Sequence, residues 1–190
     1  MNIIQGGGYE PGVESHVYSM SLGSPAAAST TAVLAAVTDN GSQQVITTGI
    51  TNPDVPRNIT ATAGGTSANI TAVQVVVAGT DIDGLPITET LPAFTAATAG
   101  TVSGAKAFRT VTSITIPHNG TGVTTAIGKG TAVGLNRRLS RDTVVNAYLN
   151  GVRETTRPTV AFSATASSGN TVILNSTLNG TPVIVDAITP

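Results

Sequence analysis

AVQVVVAGTDIDGLPITETLPAF, residues 72–94, is the stretch from which the fold class is read. Asp83-Gly84 stands between two β-rich runs, and Asp-Gly favours a two-residue type I′ turn in which both central residues take φ > 0. Such a turn would set Ile82 opposite Leu85, Thr80 opposite Ile87 and Val76 opposite Leu91. Hydrogen-bonding direction alternates along each arm, so residues 86, 88, 90 and 92 direct their N–H groups away from the hairpin partner. Pro86 and Pro92 both fall on that outward side. There they remove no hairpin bond but prevent a further strand from pairing fully, which places this arm at a sheet edge. A valine at Gly84 is expected to cost about 1–2 kcal/mol through strain at φ > 0, and more than a valine at Gly65.

The rest of the chain repeats the pattern. Candidate strands follow one another from Gln44 onward: 44–50, 57–63, 70–82, 85–91, 106–116, 124–127, 143–149, 160–164, 171–175 and 182–188. Turn dipeptides separate them at Asn40-Gly41, Asp83-Gly84, Asn119-Gly120, Asn150-Gly151, Gly169-Asn170 and Asn179-Gly180. Many short strands joined by short turns imply antiparallel sheets, here an all-β sandwich or barrel-like domain. Gly64-Gly65 and Ala96–Gly104 read as loops. Residues 1–25, with Gly6-Gly7-Gly8, read as an irregular N-terminal arm carrying Val13, Val17, Tyr18, Met20 and Leu22 for contact with another subunit. Residues 26–190 form the β domain, within which 156–190 could make a semi-separate meander. Ala26–Asn40 carries opposing signals. Ser24-Pro25 and the alanines suit a helix start, whereas Thr30, Thr31, Val33, Val37 and Thr38 suit a strand.

Composition agrees with a strand-rich chain. Its 190 residues can bury a substantial core, and Val, Ile, Leu and Phe make up about a quarter of them. Only 10% are charged, against about 25% in an ordinary soluble domain. A net charge of −1, with three Phe, three Tyr and no Trp, offers neither the electrostatics nor the stacking surface that nucleic acid requires. The absence of Cys removes disulfides and thiolate metal sites. No apolar run reaches the length of a membrane span, and the first residues lack the pattern of a signal peptide, so synthesis in a cytoplasm is expected.

No catalytic, cofactor-binding or metal-binding constellation is legible. His16 and His118 stand far apart in sequence, outside metal-ligand spacing. Asp81-Ile82-Asp83-Gly84 resembles the opening of a calcium loop, but Leu85 and Pro86 follow where further oxygen ligands are needed, and a hairpin turn is the better account. Glu89, opposite Ala78 in the expected register, has no second carboxylate beside it for acid–base work. The densest charge cluster is NRRLSRD, with Arg137, Arg138 and Arg141 beside Asp142. It reads either as a solvated loop or as a patch that meets an acidic surface on a partner. The Asn-x-Thr sequons at Asn58, Asn69, Asn119, Asn175 and Asn179 carry no information about glycosylation in so threonine-rich a chain.

GITNPDVPRNITATA (Gly49–Ala63), GTDIDGLPITETLPAF (Gly79–Phe94), KAFRTVTSITIP (Lys106–Pro117) and GKGTAVGL (Gly128–Leu135) together resemble small β-rich structural proteins of tailed bacteriophage virions. The resemblance implies a non-enzymatic virion component with no active site to carry over. The leading expectation is a capsid decoration or cement protein that binds and stabilises the major capsid protein shell from outside. A tail, neck or fibre component is the alternative within the particle, and an adhesin-like ligand-binding β-sandwich the alternative outside it. Sparse charge and sheet edges that no lysine guards, Lys106 and Lys129 being the only two, further imply a homo-oligomer. The threefold positions of a capsid shell favour a trimer.

Overall fold

The computed structural model describes residues 16–188. They form fourteen strands and two short 3₁₀ turns, with no α-helix among them. The chain is all-β with antiparallel pairing, as its turn-punctuated sequence implies. One sheet runs β3 (Gln44–Ile46), β8 (Thr110–Ile116), β5 (Val76–Thr80), β6 (Pro86–Thr90). A second, curled sheet runs β12 (Thr159–Ala161), β13 (Thr171–Ile173), β9 (Val123–Gly134), β4 (Arg57–Gly65), β7 (Gly100–Phe108). The third runs β1 (Val17–Ser21), β14 (Val183–Ile188), β10 (Val144–Leu149), β11 (Val152–Arg153).

β9 is the spine. One of its edges pairs with β4; the other is shared by β2 (Ser29–Thr38) near its start and β13 at its end. Its first half puts Val123 and Ile127 into a core formed with Ile59, Ala61 and Ala63 of β4 and with Val77, Val111, Ile114 and Ile116 of the first sheet. Its last residues put Val133 into a second core with Met20, Val144, Val172, Val183 and Val185. Gly128 and Gly130 interrupt the apolar pattern of this strand, which is why only 124–127 is legible as strand in the sequence. A Cβ on Gly128 would lie 2.0 Å from the Ser29 carbonyl oxygen, so β2 can cross β9 only where that side chain is missing.

The hairpin of residues 76–90 forms, with one correction. Thr80 pairs with Pro86 and Val76 with Thr90, one residue away from the register expected for a two-residue turn. Asp83 does not take φ > 0; only Gly84 does, at +79°. The Gly84 N–H donates to the Asp81 carbonyl, and the Asp81 N–H donates to the Leu85 carbonyl. This is a three-residue loop, a type I turn closed by a left-handed glycine. The Asp81 carboxylate selects it by accepting from the N–H groups of Asp83 and Leu85, each at 3.0 Å. The parity of the bonds survives, since the Leu91 N–H still donates inward to Val75. Pro86 and Pro92 therefore do face outward, and β6 is an edge strand.

Several segments differ from their sequence reading. Ala26–Asn40 is not helical: β2 occupies it, because the β-branched residues complete the open edge of β9. Its register slips on both sides of Leu34, which lets the consecutive residues Val33 and Leu34 both reach the core. Ala96–Gly104, read as a loop, supplies the first half of β7. Part of the expected arm is the regular strand β1, paired with β14, and its Met20 and Leu22 are buried in this chain's own second core. Residues 1–15, Val13 among them, lie outside the described residues. Residues 156–188 form no meander of their own: β12 and β13 join β9, and β14 joins β1 and β10.

The glycine ranking also reverses. Gly65 has φ +77°, and a Cβ there would lie 2.3 Å from the Gly122 carbonyl oxygen, a backbone atom that cannot swing aside. Gly84 has comparable φ but open space around it. Gly65→Val is expected to lower the urea midpoint well beyond Gly84→Val, whose cost stays near the strain of about 1–2 kcal/mol. Equal midpoints for the two variants would contradict the packing of β4 against the Gly122 turn.

Candidate interaction surface at the arginine loop

Carboxylates serve this fold as hydrogen-bond acceptors for its irregular places. β7 bulges where it passes Asn58, and the N–H groups of Ala105 and Lys106 that leave the ladder donate to Glu89, at 2.7 Å and 3.2 Å. Asn58, on the strand between two bulged neighbours, donates to the Gly104 carbonyl and accepts from the Ala132 N–H. Asp39 accepts from the N–H groups of Gly41 and Asn119, and the Nδ1 of His118 lies 2.7 Å from it. Burial would push the Asp39 carboxyl up; the Asn119 and Gly41 amides and His118 outweigh this and hold it below its ordinary value. Glu154 accepts from Ser176, Asp186 from Ser19 and Asp83 from Ser167. Asp54 takes Ala26, Arg57 and Lys129, and Asp142 takes Val144 and Arg157. With Asp81 in its turn, all eight carboxylates of the described residues are engaged within the chain.

These contacts settle where the sequence candidates stand. Asp81 and Asp83 point to different partners, the turn backbone and Ser167, and do not converge as calcium ligands would. Glu89 faces Val77 rather than Ala78 and caps a bulge instead of being solvated. His118 has its Asp39 partner, but no hydroxyl donates to or accepts from its other ring nitrogen among the described residues. His16 is an exposed residue just before β1. Among the described residues no group of three or more His, Asp or Glu is placed to hold a metal ion. No helix among the described residues is long and apolar enough to cross a membrane.

The arginines of the cluster have no carboxylate partner among the described residues, a condition shared by Lys106, Arg109 and Arg153. Leu135 and Leu139 are buried in the second core and pin both ends of a short loop. Asn170 holds that loop from beneath: its carbonyl accepts from the Leu135 N–H and its side-chain oxygen from the Leu139 N–H, both at 2.8 Å. The Asn170 amide nitrogen donates to the carbonyls of Ser163 and Ala166, so the fully buried side chain is saturated. Arg137 and Arg138, between the two leucines, are turned to solvent. The Arg137 guanidinium lies 4.7 Å from the ring centre of Tyr18 on β1, a cation–π contact that fixes one wall. Tyr18, Arg137, Arg138, Leu139, Ser140, Arg141 and Thr143 together line a cavity of about 340 Å³. Thr143 contributes a buried hydroxyl that has no hydrogen-bond partner among the described residues. The nearby carboxylate, Asp142, is taken by Arg157.

A larger cavity of about 460 Å³ lies over the second sheet, lined by Ser29, Thr30, Thr60, Thr101, Ser103 and Lys129. Its one cation is held by Asp54 at 3.0 Å, which leaves hydroxyl groups as its free chemistry.

The triple-arginine cluster is visible in the sequence; Tyr18, more than a hundred residues earlier, and Asn170 beneath the loop are not. Comparison with known proteins finds no matching family profile, curated protein or solved structure.

Proposed function

We propose that this protein is a non-enzymatic structural component of a tailed-phage virion, a decoration or cement protein that binds the outside of the major capsid protein shell and stabilises it. The observation that carries the reading is the way charge is used. All eight described carboxylates accept hydrogen bonds within the chain itself, most of them at loops, turns and bulges. What the surface presents instead is hydroxyl, aliphatic and guanidinium groups. Val17 is 64% exposed and Ile184 37% exposed on the outer side of the third sheet, where β14 also turns Asp186 outward. Such a surface suits a protein that works by being covered, through buried area and matched charge. The segments that resemble tailed-phage proteins supply the particle.

The same surface supports self-association, with a trimer as the form that fits threefold positions on a shell. Purified protein mixed with shells that lack it is expected to bind saturably, many copies to each shell, and to raise the temperature at which the shell opens. Shells that take up no protein, or the same opening temperature with the protein bound, would contradict the cement role.

A further inference from the structure

We propose that the cavity lined by Tyr18, Arg137, Arg138 and Arg141 is a docking pocket for an acidic protein segment that presents two or more carboxylates together. This rests on the reading of the protein as one that binds a protein shell, and it names the contact chemistry of that binding.

Arg137, Arg138 and Arg141 fall within five residues of a chain whose net charge is −1, and none has a carboxylate partner among the described residues. Asp142, beside them in sequence, is paired with Arg157, and Glu154 and Asp186 accept from Ser176 and Ser19 and not from these arginines. Three like charges crowded on a short loop repel one another, and an anion from outside relieves that repulsion.

The loop is not a floppy tether. Asn170 grips it at Leu135 and Leu139, both leucines are anchored in a core, and Tyr18 braces Arg137. A loop backbone fixed at both ends, and an Arg137 guanidinium braced by Tyr18, lose less freedom when paired hydrogen bonds to a carboxylate form. At about 340 Å³ the cavity stands at the small end of ligand pockets, a scale suited to side-chain carboxylates.

The ligand is protein and not nucleic acid. The one aromatic ring in the pocket, Tyr18, has one face taken by Arg137, which reduces the stacking surface a base would need. The chain as a whole is slightly acidic, unlike one that follows a phosphate backbone.

The test titrates the full chain with a hexaglutamate peptide at low ionic strength, with hexaglutamine, a single-stranded oligonucleotide and inorganic phosphate as separate arms. Saturable hexaglutamate binding that weakens as salt is added, and no hexaglutamine binding, is the expected result. Arg138→Gln together with Arg141→Gln should weaken hexaglutamate binding about tenfold, as for two partly exposed ion pairs. Arg109→Gln removes one positive charge elsewhere and should change it little. The arginines replaced are exposed, and an unchanged circular dichroism spectrum and unfolding midpoint confirm the fold. No saturable hexaglutamate binding, equal binding by the double variant, or tighter binding of the oligonucleotide or phosphate than of hexaglutamate would overturn the pocket. Shells that take up wild type and double variant equally would also overturn it while leaving the cement role standing. Shells that take up neither would overturn the cement role, whatever hexaglutamate does.

Discussion

Asn170→Ala is expected to destabilise the second core severely. The side chain is fully buried and makes four hydrogen bonds: it accepts from the N–H groups of Leu139 and Ser163 and donates to the carbonyls of Ser163 and Ala166. Alanine leaves all four backbone groups without that partner, and the Leu139 N–H is buried. An orphaned buried group costs about 1–3 kcal/mol, so a total loss of roughly 3–5 kcal/mol is expected. Urea unfolding monitored by circular dichroism reads this as a lower midpoint. The same variant should also weaken hexaglutamate binding, because the ends of the arginine loop lose one of their two anchors. A loss of less than about 1 kcal/mol would mean that Asn170 does not organise the loops around it.

Asp54→Ala is the second large effect, because it strands Arg57. The Arg57 side chain is 0% exposed, and its guanidinium donates to the carbonyls of Ala26 and Gly130 and to Asp54. Burial pushes the guanidinium pKa down and Asp54 opposes this. Removing one partner of a buried pair leaves an uncompensated charge at a cost of about 3–5 kcal/mol. The Ala26 and Gly130 carbonyls, which still accept from the guanidinium, bring the expectation to the lower end, about 3 kcal/mol. Replacing Arg57 by Met in the Asp54→Ala background should recover part of the loss, since an apolar side chain needs no counter-charge.

The same pair sets an acid limit. Burial would raise the Asp54 carboxyl, but the Ala26 amide, Lys129 and Arg57 prevail and hold it at about 2, below the ordinary 3.8. A depressed carboxylate contributes stability that is fully present above its unfolded value and lost as pH falls through the folded one. Wild-type stability should therefore fall between about pH 4 and pH 2, with Asp39 acting in the same direction. The Asp54→Ala variant should show a shallower decline across that window. Parallel midpoint-against-pH curves for the two proteins would contradict the role given to Asp54.

The hairpin at residues 76–90 and its exposed edge are legible because Asp-Gly and two prolines act locally, on backbone geometry and on which N–H groups exist. Its register is off by one because the Asp81 carboxylate adds two acceptor contacts that a dipeptide rule does not include. β2 defeats a local reading for a different reason: its alanines favour helix in isolation, and the open edge of β9 decides otherwise. β9 itself is hidden by Gly128 and Gly130, which exist to admit Ser29 and Asn58. In β1 a signal was present: Tyr18, Met20 and Leu22 recur at every second residue and lie on the side facing the second core. At the candidate site the three arginines are plain in the sequence. Their lack of carboxylate partners is not, because it depends on Asp142 being taken by Arg157 and on every other described carboxylate having an internal use.

The claim that this protein acts by coating a protein shell is tested most directly by an electron cryo-microscopy image reconstruction of the purified particle that carries it. The expected density is a β-domain repeated across the whole shell, clustered about threefold positions, with the loop of Arg137, Arg138 and Arg141 against an acidic segment of the subunit below. Density at a single vertex or along the tail, or none on the shell, would contradict it.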